Sequence, residues 1–88
     1  MDFKEELERI LLEIGLENPT VDIGVTPEGR VGGFVISDSF RGKSQLERQD
    51  MLWDKLDEIL DEEKDLKIIA LLTMTPAEAE EADGYDRL

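Results

Sequence analysis

Eighty-eight residues with 40% apolar content suit one domain with a single small core and leave no room for two. The chain has no cysteine and no histidine, which excludes a disulfide framework, thiolate or imidazole metal sites within this chain alone, a cysteine nucleophile and a Ser-His-Asp triad. Twenty-three acidic against ten basic residues set the net charge at −13, and a surface of that sign repels phosphate backbones, so nucleic acid is a disfavoured partner.

Residues 2–14 predict the first helix, because Phe3, Leu7, Ile10, Leu11 and Ile14 share one face opposite Glu5, Glu6, Glu8 and Glu13. Asp2 is its cap, and Glu5 stands where a capping box places an acid. Gly15 stops the helix and Asn18-Pro19 prevents its continuation. Residues 20–25 then alternate with period two, as in a strand with one buried face. Pro27-Glu28-Gly29 supplies turn chemistry, and residues 30–36 form the return strand of a β-hairpin. Gly32-Gly33 inside that strand marks a bulge or a close approach by another backbone, a bulge being favoured over a ligand contact.

The apolar strand Phe34-Val35-Ile36 ends at Ser37-Asp38-Ser39, a compact turn carries Gly42, and Ser44 is placed to cap a long helix. Leu52, Leu56, Ile59 and Leu60 recur at helical spacing, with Trp53 beside them. Asp61 to Asp65 reads as a charged end and loop. The run through Ile68-Ile69-Ala70-Leu71-Leu72 is nearly continuous, as in a strand buried on both faces, which predicts a place inside the sheet and not at its edge. Thr75 caps a last helix with Pro76 at its first position. That helix is expected to end near Asp83-Gly84, with fraying at residues 1–2 and 84–88. The order is α-β-β-α-β-α, an α+β domain with a three-stranded mixed sheet and helices packed on it.

The excess acid is uneven. Residues 1–18 hold six acids and two bases, and residues 45–65 nine acids and three bases, whereas residues 30–43 set Arg30, Arg41 and Lys43 against Asp38. The first reading of the acid is a solvated, solubilising surface, and the second a docking face for a basic partner. No apolar run approaches the length of a membrane span and the acidic N-terminus does not resemble a signal peptide, so a cytoplasmic domain is expected.

Gly42-Lys43-Ser44 between a strand and a helix invites a phosphate-loop reading, but the motif needs a glycine where Ser37 stands. A reduced version remains, in which Arg41, Lys43 and the helix N-terminus hold one anion. Pairs such as Asp54 with Glu58 or Asp57 with Asp61 lie on a polar helix face, where a solvated surface explains them better than catalysis does. Trp53, Met51 and Met74 read first as core or core-edge residues and second as partner contacts.

Phe34-Val35-Ile36-Ser37-Asp38-Ser39-Phe40-Arg41-Gly42-Lys43-Ser44, then Leu46-Glu47-Arg48, then Thr73-Met74-Thr75-Pro76-Ala77-Glu78 resembles the BolA family. Its pattern is a strand ending in Ser-Asp, a Phe-x-Gly-Lys turn, a Leu-x-x-Arg-His helix and a strand finishing in Thr-x-Thr-Pro-x-Glu. The resemblance covers residues 3–81 in element order and implies a fold related to the second type of KH domain. It also implies partnership with monothiol glutaredoxins through a shared [2Fe-2S] cluster. The place of the family's chief histidine ligand is held here by Lys67, and the hairpin loop Thr26-Pro27-Glu28-Gly29 has no counterpart to its second ligand. Gln49 stands for the histidine of the Arg-His pair. An ammonium has no free lone pair for iron, so cluster ligation is not carried over and no cofactor is expected.

The resulting expectation is a non-enzymatic protein-binding adaptor or regulatory module of BolA-like type, a monomer or weak homodimer, with a monothiol glutaredoxin as possible partner. Its candidate contacts to a partner or anion are Arg30, Arg41, Lys43, Arg48 and Trp53. The alternative is a KH-like nucleic-acid-binding transcriptional or stress regulator, which lacks here the Gly-x-x-Gly loop that grips backbone.

Overall fold

A computed structural model describes residues 2–86, with side chains through Glu81. The chain builds α1 (Phe3–Glu13), β1 (Thr20–Val25), β2 (Val31–Ile36), a 3₁₀ turn (Asp38–Phe40), α2 (Gln45–Asp57), α3 (Glu62–Asp65), β3 (Ile68–Met74) and α4 (Pro76–Asp86). The fold is α+β with one mixed sheet of order β1-β2-β3, antiparallel between β1 and β2 and parallel between β2 and β3.

The helix starts follow their local chemistry. Asp2 accepts from the Glu5 N–H at 2.9 Å. Ser44 and Glu47 form a reciprocal capping box at 3.2 and 3.0 Å, and Thr75 with Glu78 repeats it at 3.2 and 2.8 Å. Gly15, at φ +99°, turns the chain out of α1.

α1 and α2 lie on the same face of the sheet. Leu7 and Leu11 from α1 and Leu52 and Leu56 from α2 are fully buried in one cluster with Ile23, Val35 and Leu71. Among the described residues, Phe40 is the largest wholly buried side chain. Its burial follows from the 3₁₀ turn, which is held by a small network: the Ser37 hydroxyl donates to the Glu17 carbonyl at 2.7 Å, and the Ser39 hydroxyl accepts from the Glu17 N–H at 2.9 Å. The short turn read from the sequence is therefore a core-forming element.

Four expectations need correction. β3 is an edge strand and β2 is central. The apolar run in β3 combines a core face, Ile68 and Leu71, with an open face, Ile69 and Leu72, and so mimics burial on both sides. α2 ends at Asp57, so Ile59 leaves the stripe and is 54% exposed, while Leu60 is brought back into the core by the following turn. The supposed loop after it contains α3, capped by Asp61, which accepts from the Lys64 N–H at 2.9 Å. α4 continues to Asp86, past Gly84. Of the residues expected to fray, 1–2 and 84–88, Asp2 caps α1 and residues 84–86 are helical, while residues 1, 87 and 88 lie outside the described residues.

Candidate functional site

The sheet has one covered face and one open face. On the open face the strand register places Gly24 beside Gly32 and Gly32 beside Ala70. This row carries nothing larger than a methyl group. Asp22, Phe34 and Leu72 form the next row in register. Phe34, Ile69 and Leu72 are 40, 56 and 53% exposed, and with the end of β1 at Val25 they border a hollow of about 360 Å³ floored by the glycines. Exposed apolar surface of this kind is the candidate site on this small acidic protein.

The three strand glycines have different causes. The β2–β3 register slips between Val31 and Gly32, which is the bulge the sequence suggested. A Cβ on Gly33 would run into the Asp22 carbonyl, and one on Gly32 would come within 3.0 Å of the Ala70 carbonyl oxygen. Close backbone approach thus accompanies the bulge. Gly24 is different: a Cβ there meets nothing within 4 Å. Packing does not require glycine at that position, and its effect is to leave the hollow open.

The two sheet edges also differ. The outward carbonyls of β3 are taken by α2: Gln49 Nε2 donates to Leu71 O at 2.8 Å and Gln45 Nε2 to Thr73 O at 3.2 Å. The Thr73 hydroxyl returns a bond to Gln45 Oε1 at 2.8 Å. A helix side chain at i and another at i+4 thereby cover an edge that would otherwise template pairing. On β1, the bond from the Thr26 N–H to the Arg30 carbonyl at 2.7 Å sets the ladder parity. Thr20, Asp22 and Gly24 pair toward β2, and the backbone groups of Val21, Ile23 and Val25 point outward. Among the described residues, none of these outward groups is bonded to backbone outside the sheet ladder.

The cations singled out in the sequence do not form one cluster. Arg30 immediately precedes β2 while Arg41 and Lys43 follow its other end, about 20 Å away at the usual rise per residue. Arg41 Nη2 lies 2.8 Å from Asp38 Oδ1. Lys43 is half-buried, and its carbonyl accepts from Arg48 Nε at 3.0 Å. Arg48 itself is buried and forks onto Glu78 at 2.7 and 3.1 Å. It is therefore engaged inside the fold and is not presented to a partner. The N-terminus of α2 is occupied by the Glu47 carboxylate, whose pKa is lowered first by its bond from the Ser44 N–H. Trp53 is half-buried against the core and donates through Nε1 to Gln49 Oε1 at 3.2 Å.

Lys67 and the hairpin turn sit at the same end of the sheet, joined by a bond from the Val31 N–H to the Lys67 carbonyl at 2.8 Å. The Lys67 ammonium lies 5.8 Å from the Phe3 ring centroid, a cation–π contact. With an ammonium on one side and Thr26, Pro27 and Glu28 on the other, these residues do not fit an iron–sulfur cluster. Among the described residues no group of three or more acids is arranged to hold a metal ion, and no helix is long and apolar enough to cross a membrane. One carboxyl is shifted upward: Asp65, through its hydrogen bond with Asp57 and then through burial.

The sequence reading passed over the roles of Gln45, Gln49 and Gly24. The available signal was weak, consisting of two amides one helical turn apart and a glycine inside an alternating strand. Comparisons with protein-family models, with curated proteins and with solved structures returned no match.

Proposed function

We propose that this chain is a non-enzymatic protein-binding module of BolA-like type, acting as an adaptor or regulator in the cytoplasm. The observation that carries this reading is the open sheet face, where Phe34, Ile69 and Leu72 stand exposed around a glycine-floored hollow. Leaving these three side chains about half exposed forgoes part of the roughly 1.5–3 kcal/mol that full burial of each supplies. A partner surface recovers it.

The BolA resemblance points to a monothiol glutaredoxin as the first partner to try. Lys67 in place of the family's histidine means that binding does not depend on cluster ligands from this chain. Calorimetric titration with a monothiol glutaredoxin, with and without its cluster, is the test. Saturable binding in both forms is expected, with no cluster absorption contributed by this chain. Absence of binding in either form ends the glutaredoxin version. A cluster spectrum that depends on this chain overturns the reading of Lys67.

A further inference from the structure

We propose that the free edge of β1, with the hollow beside it, is a strand-addition site for an extended basic segment of a partner protein. That segment carries one large apolar side chain with lysine or arginine two residues away. The inference rests on the binding-module reading and assigns that module a surface and a partner chemistry.

The hydrogen-bonding parity supplies the first argument. The outward N–H and C=O groups of Val21, Ile23 and Val25 offer a three-residue ladder to an incoming strand. On β3 the equivalent carbonyls of Leu71 and Thr73 are already covered by Gln49 and Gln45. One edge is protected by dedicated side chains and the other is open, whereas unprotected edges are normally avoided.

Gly24 supplies the second. It has no positive φ and no steric neighbour that excludes a side chain, yet glycine weakens a strand interior. What its missing side chain does is connect the β1 edge to the hollow. A strand added about 4.8 Å from β1 places one of its side chains opposite Gly24. An apolar group there reaches over Gly24 toward Gly32 and Phe34.

Charge selects the occupant. Asp22 lies on the same face two residues from Gly24, exposed and in no ion pair among the described residues. Glu17 and Glu28 flank the two ends of β1, and the whole chain carries −13. A cation two residues from the apolar anchor meets Asp22. Arg30, at the hairpin end, is the cation nearest in register to this surface. A second copy of the chain meets repulsion between two strongly acidic surfaces, so a basic partner is favoured.

The test is a titration of the ¹⁵N-labelled protein with the blocked peptide Thr-Lys-Thr-Phe-Thr-Lys-Thr, followed by amide shifts. The largest shifts are expected at Val21, Ile23, Gly24 and Val25. Replacing both lysines by glutamate, or N-methylating alternate amides on the hydrogen-bonding edge, is expected to weaken binding at least about tenfold. Gly24→Val fills the hollow from β1 and is expected to weaken binding by a similar factor while leaving thermal stability at or above that of the parent. Equal affinity of the N-methylated peptide, or shifts confined to α2 and β3, overturns the proposal. So does sedimentation showing a β1-mediated dimer that the peptide fails to displace. Binding of a glutaredoxin with the β1 amides unmoved removes the strand-addition site and leaves the module reading intact. Failure of both titrations removes both.

Discussion

Arg48 places Nη1 and Nη2 at 2.7 and 3.1 Å from the two carboxylate oxygens of Glu78, tying the first turn of α2 to the first turn of α4. Glu78 Oε1 also accepts from the Thr75 N–H at 2.8 Å, while Arg48 Nε holds the Lys43 carbonyl. The guanidinium first, and then the Thr75 N–H, lower the Glu78 carboxyl to about 2. A depressed acid contributes stability that is present above its ordinary value of 4.5 and lost as pH falls through about 2. Glu78→Gln is expected to lower stability at neutral pH by about 1 kcal/mol, a modest figure because the carboxylate is partly exposed and water screens the pair. Urea unfolding across pH 2 to 7 should show the variant and parent converging at the acid end.

Asp65 has the opposite sign. Its carboxyl is raised above 3.8 by the hydrogen bond with Asp57, by burial and by the charges of Asp57, Asp61 and Glu62, and its Oδ1 is buried without a partner. The folded state therefore holds this proton more tightly than the unfolded chain does, so ionisation at higher pH opposes folding. Asp65→Asn is expected to raise the melting temperature at pH 7, with the gain disappearing below pH 3.8. A melting temperature unchanged at pH 7 contradicts this.

Lys64 bridges α3 to α1 through Glu6 at 2.6 and 3.1 Å. Its pKa is raised above 10.5, first by that hydrogen bond. The contribution is fully present below 10.5 and is lost as pH rises through the elevated value. Lys64→Met should accordingly flatten the alkaline limb of the stability profile.

Gly33 and Gly24 provide a paired test of the sheet. A methyl group at Gly33 collides with the Asp22 carbonyl, whereas at Gly24 it meets open space. Gly33→Ala is expected to cost about 3 kcal/mol or to prevent folding, since backbone cannot yield as a side chain can. Gly24→Ala is expected to be neutral or to stabilise by up to about 1 kcal/mol. Thermal unfolding of the two variants decides both.

The glutamine cover on β3 predicts a change in association. Gln45→Ala and Gln49→Ala each remove hydrogen bonds to the strand edge and should cost about 1 kcal/mol. The double variant bares Leu71 and Thr73, and sedimentation velocity should detect self-association that the parent lacks at the same concentration. A double variant that sediments like the parent shows that the amides do not guard the edge.

What could be read from the sequence is what local chemistry determines. Asp2, Ser44 and Thr75 cap the helices because each hydroxyl or carboxylate meets an N–H three residues on. The hairpin follows from Pro27 and Gly29, the latter at φ +84°. The place of β3 was not readable, because an apolar run carries no mark distinguishing burial on both faces from one buried and one open face. In the sequence Arg48 reads as a candidate contact to a partner or anion, because Glu78 is thirty residues away and only tertiary packing joins them. The separation of Arg30 from Arg41 and Lys43 likewise follows from the direction of β2, which composition cannot show. Gln45 and Gln49 look like ordinary solvated helix residues until the strand edge beside them is known.

On the function proposed above, the exposed apolar face exists for a partner and not for stability. Ile69→Lys combined with Leu72→Lys alters two side chains that are each more than half exposed, so the melting temperature should stay close to that of the parent. The deciding measurement is the calorimetric affinity of this double variant for the monothiol glutaredoxin, set beside that of the parent. Weakening by at least about tenfold with the fold intact is expected. Unchanged affinity in a folded variant would contradict it.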